Sequence, residues 1–462
     1  MSDEPSVRRR WVLPAAVLSL LALTAALAGT LLGGGTLGNS GPLYGWYALD
    51  AVLFALAVAL LRLAPPGVVR LLVPVGGVLL AAVGLLAPPR TSDDAYRYLW
   101  DGRVQAAGIS PYAHPPDAPE LAALRARAPE LFPPTGDCAG WDERRAGPGF
   151  CSHVNRPGVP TIYPPVAEGW FAVLYAVGGR YGVRVAQLGG FVLVLAVGWV
   201  LWAVLREQRW RVALWSWCPG VVVWAVNDAH VDTLGALLLL GGLLAARGAP
   251  DRGRTALAGA LLGLAAAAKL VPGIALPAAL SGVLARRPRT GLLLLPLTAL
   301  AAFALSYLPY LLGSGRAVLG YLPGYLREEG YDQGGGVDRF GLVGLLLPGQ
   351  LAPVAGVLVL GVVCWYVLRH GDPDRPWRGA VLLLGSALLV ATPAYPWYGL
   401  LLVALIPLDG RWEWLAVPAA AQVLYLGGGA VQQAAYWLAL GAVLAGALVR
   451  RRALVRRRAA AG

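Results

Sequence analysis

Polar and apolar positions fall in long blocks along this chain. Predominantly apolar stretches recur at residues 12–32, 46–61, 68–86 and 185–205, each close to the roughly 20 residues that cross a bilayer core of about 30 Å. They predict transmembrane helices. Between the third and the next lies the longest polar stretch, residues 88–166, which predicts a large loop. Later apolar segments are short or broken by proline, notably 257–268 with 272–284 and 381–391 with 399–407. At membrane depth such segments need surrounding protein to satisfy their backbone groups, so they point to an internal site. The expected fold class is all-α: one polytopic membrane domain over residues 1–462 with about 11–14 transmembrane helices.

Composition removes the water-soluble alternative, since 57% of residues are hydrophobic and 14% charged, against about 25% charged in soluble domains. The net charge of +13 would suggest nucleic acid in a soluble protein. Here, however, the arginines sit in short loops and at the ends, the signature of cytoplasmic anchoring. Arg8, Arg9, Arg10 and the tail at 450–458 place both termini in the cytoplasm, with residues 88–166, 227–232, 321–339 and 395–398 outside. Counting 163–178 as a full crossing would put Arg206, Arg209 and Arg211 outside, so it is expected to be an interfacial or re-entrant helix. The first apolar stretch exceeds the 7–15 residues of a signal-peptide core and reads as a retained helix. Cys218 and Cys364 lie in apolar segments. Cys138 and Cys151 share the outer loop, and in an oxidising compartment a disulfide is the favoured reading over free thiols.

Within the loop, the string SDDAYRYLWDGRVQAAGISPY starts a helix at Ser92–Asp93–Asp94 and stops it at Gly108 and Pro111. Asp94, Arg97, Tyr98, Asp101 and Gln105 share one helical face and Ala95, Leu99 and Ala106 the other, which predicts a helix on the membrane surface. Its charges are either merely solvated, with Tyr96, Tyr98 and Trp100 as interfacial anchors, or the machinery for deprotonating an acceptor and holding an anionic headgroup. A second string, NRPGVPTIYPPVAE, either turns the chain into the membrane or holds Arg156, Tyr163 and Glu168 rigidly at a site.

These strings, with NDAHVD at 227–232, Lys269 and Pro272 as Lys-x-x-Pro, and PAYPWY at 393–398, resemble the GT-C superfamily of lipid-linked-sugar-dependent glycosyltransferases. The likeness is greatest to actinobacterial polyprenol-phosphate-mannose-dependent mannosyltransferases. The resemblance implies juxtamembrane helices in the first large outer loop (88–166), a polyprenyl-phosphate donor, no cofactor and no nucleotide-binding domain. Three helices precede the loop, where many GT-C enzymes have one. For inverting transfer a carboxylate must take the acceptor's proton while cations stabilise the departing phosphate. Asp94 is the expected base and its neighbour Asp93 the rival, whichever is not the base capping the helix. Arg97, Arg156, Lys269 and Arg339 are the candidate phosphate contacts, with Asp101 and Tyr163 beside them. Lys269, the chain's single lysine, sits in an apolar segment where a charge costs at least about 2.5 kcal/mol.

Asn227, Asp228, His230 and Asp232 either position sugar hydroxyls or form a plain polar helix start; as a metal set they are weak. Arg327, Glu328, Glu329, Tyr331, Asp338 and Arg339 surround a Gly-rich outer loop that reads as a gate or as plain loop. Tyr395, Trp397 and Tyr398 stack on a substrate or belong to an interfacial aromatic belt. The expected partners are the lipid-linked donor, a glycan, glycolipid or protein acceptor, and membrane lipids. The competing functions are a transporter or flippase of lipid-linked sugars and a non-catalytic scaffold. Transporters usually show repeats and midplane charges, whereas here the charges gather in outer loops.

Overall fold

The computed structural model describes residues 4–134, 137–147, 149–248, 251–285, 292–328, 339–347, 349, 351–427 and 429–459. The described residues are 74% helical. Three helices precede the long loop: α1 (Glu4–Gly33), α2 (Gly41–Leu63) and α3 (Pro66–Val83). The loop holds α4 (Asp94–Ala106) and the single turn α5 (Ala122–Arg125), and it ends on α6 (Pro165–Gly178). Next come α7 (Val183–Val204), the turn α8 (Ala213–Ser216), a π-helical stretch at Val221–Asn227, α9 (Asp232–Ala246) and α10 (Arg252–Ala268). The chain continues through α11 (Leu294–Ser314), α12 (Leu322–Glu328), α13 (Gly341–Gly344) and α14 (Leu351–His370). It closes with α15 (Pro376–Ala391), α16 (Leu400–Asp409), α17 (Ala416–Gly427) and α18 (Gly429–Ala459). β1 (Arg144–Arg145) and β2 (Cys151–Ser152) form a short antiparallel hairpin in the loop.

The expected all-α polytopic membrane fold is what the chain adopts. Proline opens α2, α3, α6 and α15, where its missing N–H costs nothing and its fixed φ suits a first turn. Among the described residues seven helices are long and apolar enough to cross a membrane, or eight if the π-helical stretch and α9, bent by 110°, count as one span. The other segments counted as crossings are short, α15 having 16 residues and α16 only 10. At 1.5 Å per residue α16 covers about 15 Å, half a bilayer core. All of its residues are buried, as a helix apolar on every side requires. The outward faces of α11, α14 and α18 are lined with exposed Leu312, Val357 and Leu438, which places lipid against them.

α6 has only 14 residues, and it packs directly on α4. The contact is close because Gly102 lacks a Cβ; one added there would lie 2.3 Å from the Phe171 carbonyl oxygen. α4 departs from the expected surface helix. Arg97, Tyr98 and Asp101 are only 3%, 1% and 2% exposed, and Leu99 and Trp100 on the opposite face pack against Phe132 and Val154. Segments of the loop and α6 close over both faces, so the charges are enclosed by protein rather than solvated.

Candidate active site

The site is built outward from the start of α4. Asp93 stands at its N-cap and Asp94 in its first turn, where the helix dipole favours a carboxylate. The Asn155 amide donates from one Nδ2 to Asp93 Oδ1 at 3.0 Å and to Asp94 Oδ1 at 2.6 Å. A disulfide joins Cys138 to Cys151 at the start of β2, and the facing strand aims Arg144 into an ion pair with Asp93. Asp94 Oδ2 lies 3.4 Å from His230 Nδ1. Exposure does not separate the two aspartates, whose side chains are 16% and 15% accessible; their partners do. Burial raises the Asp93 pKa even against the opposing pull of Arg144. Behind the hairpin, His153 Nδ1 and Asp142 Oδ2 are 3.1 Å apart. That hydrogen bond raises the His153 pKa.

The opposite wall carries the lysine. Lys269, at the C-cap of α10, places Nζ 3.3 Å from Asp232 Oδ2 and 5.2 Å from the ring centres of both Tyr163 and Tyr398. Arg156 Nε donates to both oxygens of Glu328, at 3.0 and 3.1 Å, and its guanidinium lies over Tyr325. Trp397 stacks on His230 at 3.8 Å and on Tyr395 at 5.0 Å. Together these groups surround a cavity of about 580 Å³, lined from the start of α4, Arg144, Asn155, Arg156, residues 162–164 and 269–271, α12, Tyr395, Trp397, Tyr398 and Tyr425. Three of the adjoining segments contain a side-chain-bearing residue held at positive φ: Arg156 at 44°, Ala229 at 56° and Thr392 at 41°. Such backbone persists only where the surroundings over-determine it, and it tends to gather at functional sites.

The structure thus brings Asp93, Asp94, Arg156, Tyr163, Lys269, Tyr395, Trp397 and Tyr398 to one cavity. Other expected contacts go elsewhere. The Arg97 guanidinium pairs with Asp101 at 3.1 Å and donates to the carbonyls of Asn155, Arg156 and Val159. It therefore clamps the 155–159 turn to α4 instead of facing the cavity, and Asp101 is its counter-ion. Asn227 donates to the carbonyls of Gly84, Ala87 and Pro88. Asp228 accepts from the Arg90 and Thr91 amides and the Thr91 hydroxyl. Both tie down the beginning of the loop, and neither starts a helix, since Asn227 ends the π-helical stretch and α9 begins at Asp232. His230 and Asp232 form a second layer behind Asp94 and Lys269. Glu168 is buried on Thr161 and Gln105. Arg339 lies over Tyr395; Glu329, Tyr331 and Asp338 are outside the described residues. Asn155, Arg144, Tyr325 and Tyr425 line the cavity without having been singled out. Asn155 opens a string that was noticed, but no periodicity marks Arg144 in its irregular loop.

Fold and cavity together define a polytopic membrane protein whose polar site is enclosed at one end of an apolar helix bundle. The family model described as Glycosyltransferase family 87 matches residues 161–393, just over half of the chain, and the chain belongs to that family. It is a membrane glycosyltransferase. The matched stretch takes in Thr161–Tyr163, His230, Asp232 and Lys269 and ends inside PAYPWY, so the two aspartates of α4 fall outside it. No curated protein and no solved structure matches the chain.

Proposed function

We propose that the enzyme transfers a sugar, mannose in the preferred reading, from a polyprenyl phosphate to a glycan, glycolipid or protein acceptor with inversion at the anomeric carbon. The observation that carries this is one cavity with a carboxylate on one wall and a lysine on the other, between helices that face lipid. Asp94 takes the proton of the acceptor hydroxyl as that oxygen attacks the anomeric carbon. The bond from that carbon to the phosphate oxygen breaks, and polyprenyl phosphate leaves with the electron pair, its negative charge met by Lys269 and Arg156. Asp94 is preferred to Asp93 because Asp93 is engaged by the Arg144 guanidinium. Tyr395 and Tyr398 supply ring faces for the sugar or the first prenyl unit. In this reading residues 1–462 form one membrane domain, the loop 88–166 is its catalytic part, both termini are cytoplasmic and the cavity is extracytoplasmic.

The test is transfer in nanodiscs from radiolabelled polyprenyl-phosphate mannose to candidate acceptors. Asp94→Ala is expected to lower kcat by about 10²–10⁴-fold, the usual worth of a general base, and Asp93→Ala by less. Undiminished transfer by Asp94→Ala would remove the base assignment. Movement of labelled lipid across the bilayer with no transfer would favour a flippase.

A further inference from the structure

The helices that end at the cavity carry a second charged cluster at their other end. α16 runs from beside Tyr398 to Asp409, and α15 runs back from Pro376 to Ala391. Asp409, its side chain 1% exposed, pairs with Arg411 and lies 3.8 Å from Arg378. Arg411 also donates to the Arg378 carbonyl at 2.9 Å. Arg211 packs its guanidinium on the backbone of Gly410, where an added Cβ would meet Nη1 at 2.7 Å and where φ is +81°. Arg62, from the end of α2, and Arg211 both lie by the Trp210 ring, at 5.5 and 5.8 Å.

This arrangement is short of negative charge. The nearby Glu413 is taken by Arg450, which leaves Asp409 as the carboxylate for Arg211, Arg378 and Arg411, with Arg62 beside Arg211. Arg211 Nε is buried with no hydrogen-bond partner among the described residues. Burial lowers the Arg211 pKa; Asp409 opposes this, and the charges of Arg62, Arg375 and Arg378 lower it further. An anion with several oxygens would relieve both the repulsion and the orphaned donor, because the guanidinium fork matches phosphate geometry. The surroundings indicate its source. Leu63, next to Arg62, is 70% exposed and Trp412, next to Arg411, is 62% exposed, so the cluster sits where hydrocarbon gives way to headgroups.

We propose that Arg62, Arg211, Arg378 and Arg411 form a binding site for the phosphate of an anionic phospholipid on the membrane face opposite the cavity. Basic pockets between transmembrane helices are suited to such headgroups. The site is separate from the transfer chemistry and holds α2, α15 and α16 together at their far ends.

The test uses the full-length protein in nanodiscs of phosphatidylcholine alone or with phosphatidylglycerol. Phosphatidylglycerol is expected to raise Tm by about 1–2 °C, since roughly 1 kcal/mol shifts Tm by about 2–4 °C for 150–250 residues and by less for a longer chain, and to stay bound in native mass spectrometry. Arg62→Gln and Arg211→Gln should each lose most of that rise, while Arg145→Gln in the outer hairpin should keep it. The same Tm in both membranes would overturn the proposal even if the variants fail to fold. So would the full rise in phosphatidylcholine with inorganic phosphate alone, which would mean a simple anion site.

Discussion

Asn155 divides a single amide nitrogen between two carboxylates that sit side by side at a helix start. The effect is to hold both oxygens on the cavity side while Arg144 neutralises only Asp93. The two neighbouring aspartates thereby acquire different surroundings. Hydrogen bonds to charged groups are worth about 1.5–3 kcal/mol, so Asn155→Ala is expected to lower kcat by about 10–100-fold with little change in donor KM. Asn155→Asp should lower it further and move the acid limb of the pH profile upward, because a third carboxylate favours the protonated form of its neighbours. A kcat within twofold of wild type for both variants would show that Asn155 does not position the base.

At the scale of elements, the decisive contact is α4 against α6. It fixes the helix carrying Asp94 to the family-matched part of the chain, and Arg97 then ties the 155–159 turn to α4. Gly102 sets the separation. Its missing Cβ faces a backbone oxygen, which cannot swing aside as a side chain can. Gly102→Ala should therefore cost about 1–3 kcal/mol, the usual penalty of overpacking, read as a lower Tm in detergent together with reduced transfer. Gly169→Ala on α6 meets nothing within 4 Å and is expected to leave stability unchanged or raise it by about 0.4–1 kcal/mol. Equal losses in the two variants would rule out the close crossing as their cause.

For the whole molecule, the polar cavity and the arginine cluster occupy opposite ends of α15 and α16, with the lipid-facing surfaces between them. In the proposed topology the arginine end is the cytoplasmic one. In intact cells a cysteine placed at exposed Ala113 in the loop should react with an impermeant maleimide, whereas one at exposed Gln208 should react only after permeabilisation. The reverse pattern would turn the assigned topology over and move the cavity to the cytoplasm.

Much of the molecule was legible in the chain because two signals are local. Apolar length marks spans, and spacing gathers Asp94, Arg97 and Asp101 on one helical turn sequence. The loop carrying the aspartates and the aromatic string at 395–398 were both visible in this way. What a side chain faces is not local. Arg97 and Asn227 have the composition of site residues, yet tertiary packing turns them toward backbone carbonyls. Asn155 and Arg144 look ordinary in an irregular loop, yet the fold carries them to the carboxylates. The 110° break before α9 falls on NDAHVD, where the sequence already shows a polar interruption, but neither its angle nor the π-helical form of Val221–Asn227 is a local signal. Sequence by itself determined that this is an all-α membrane protein and which strings are polar within it. The tertiary structure alone decided which of those polar groups meet across the cavity, because pairing depends on where separate helices bring their ends together.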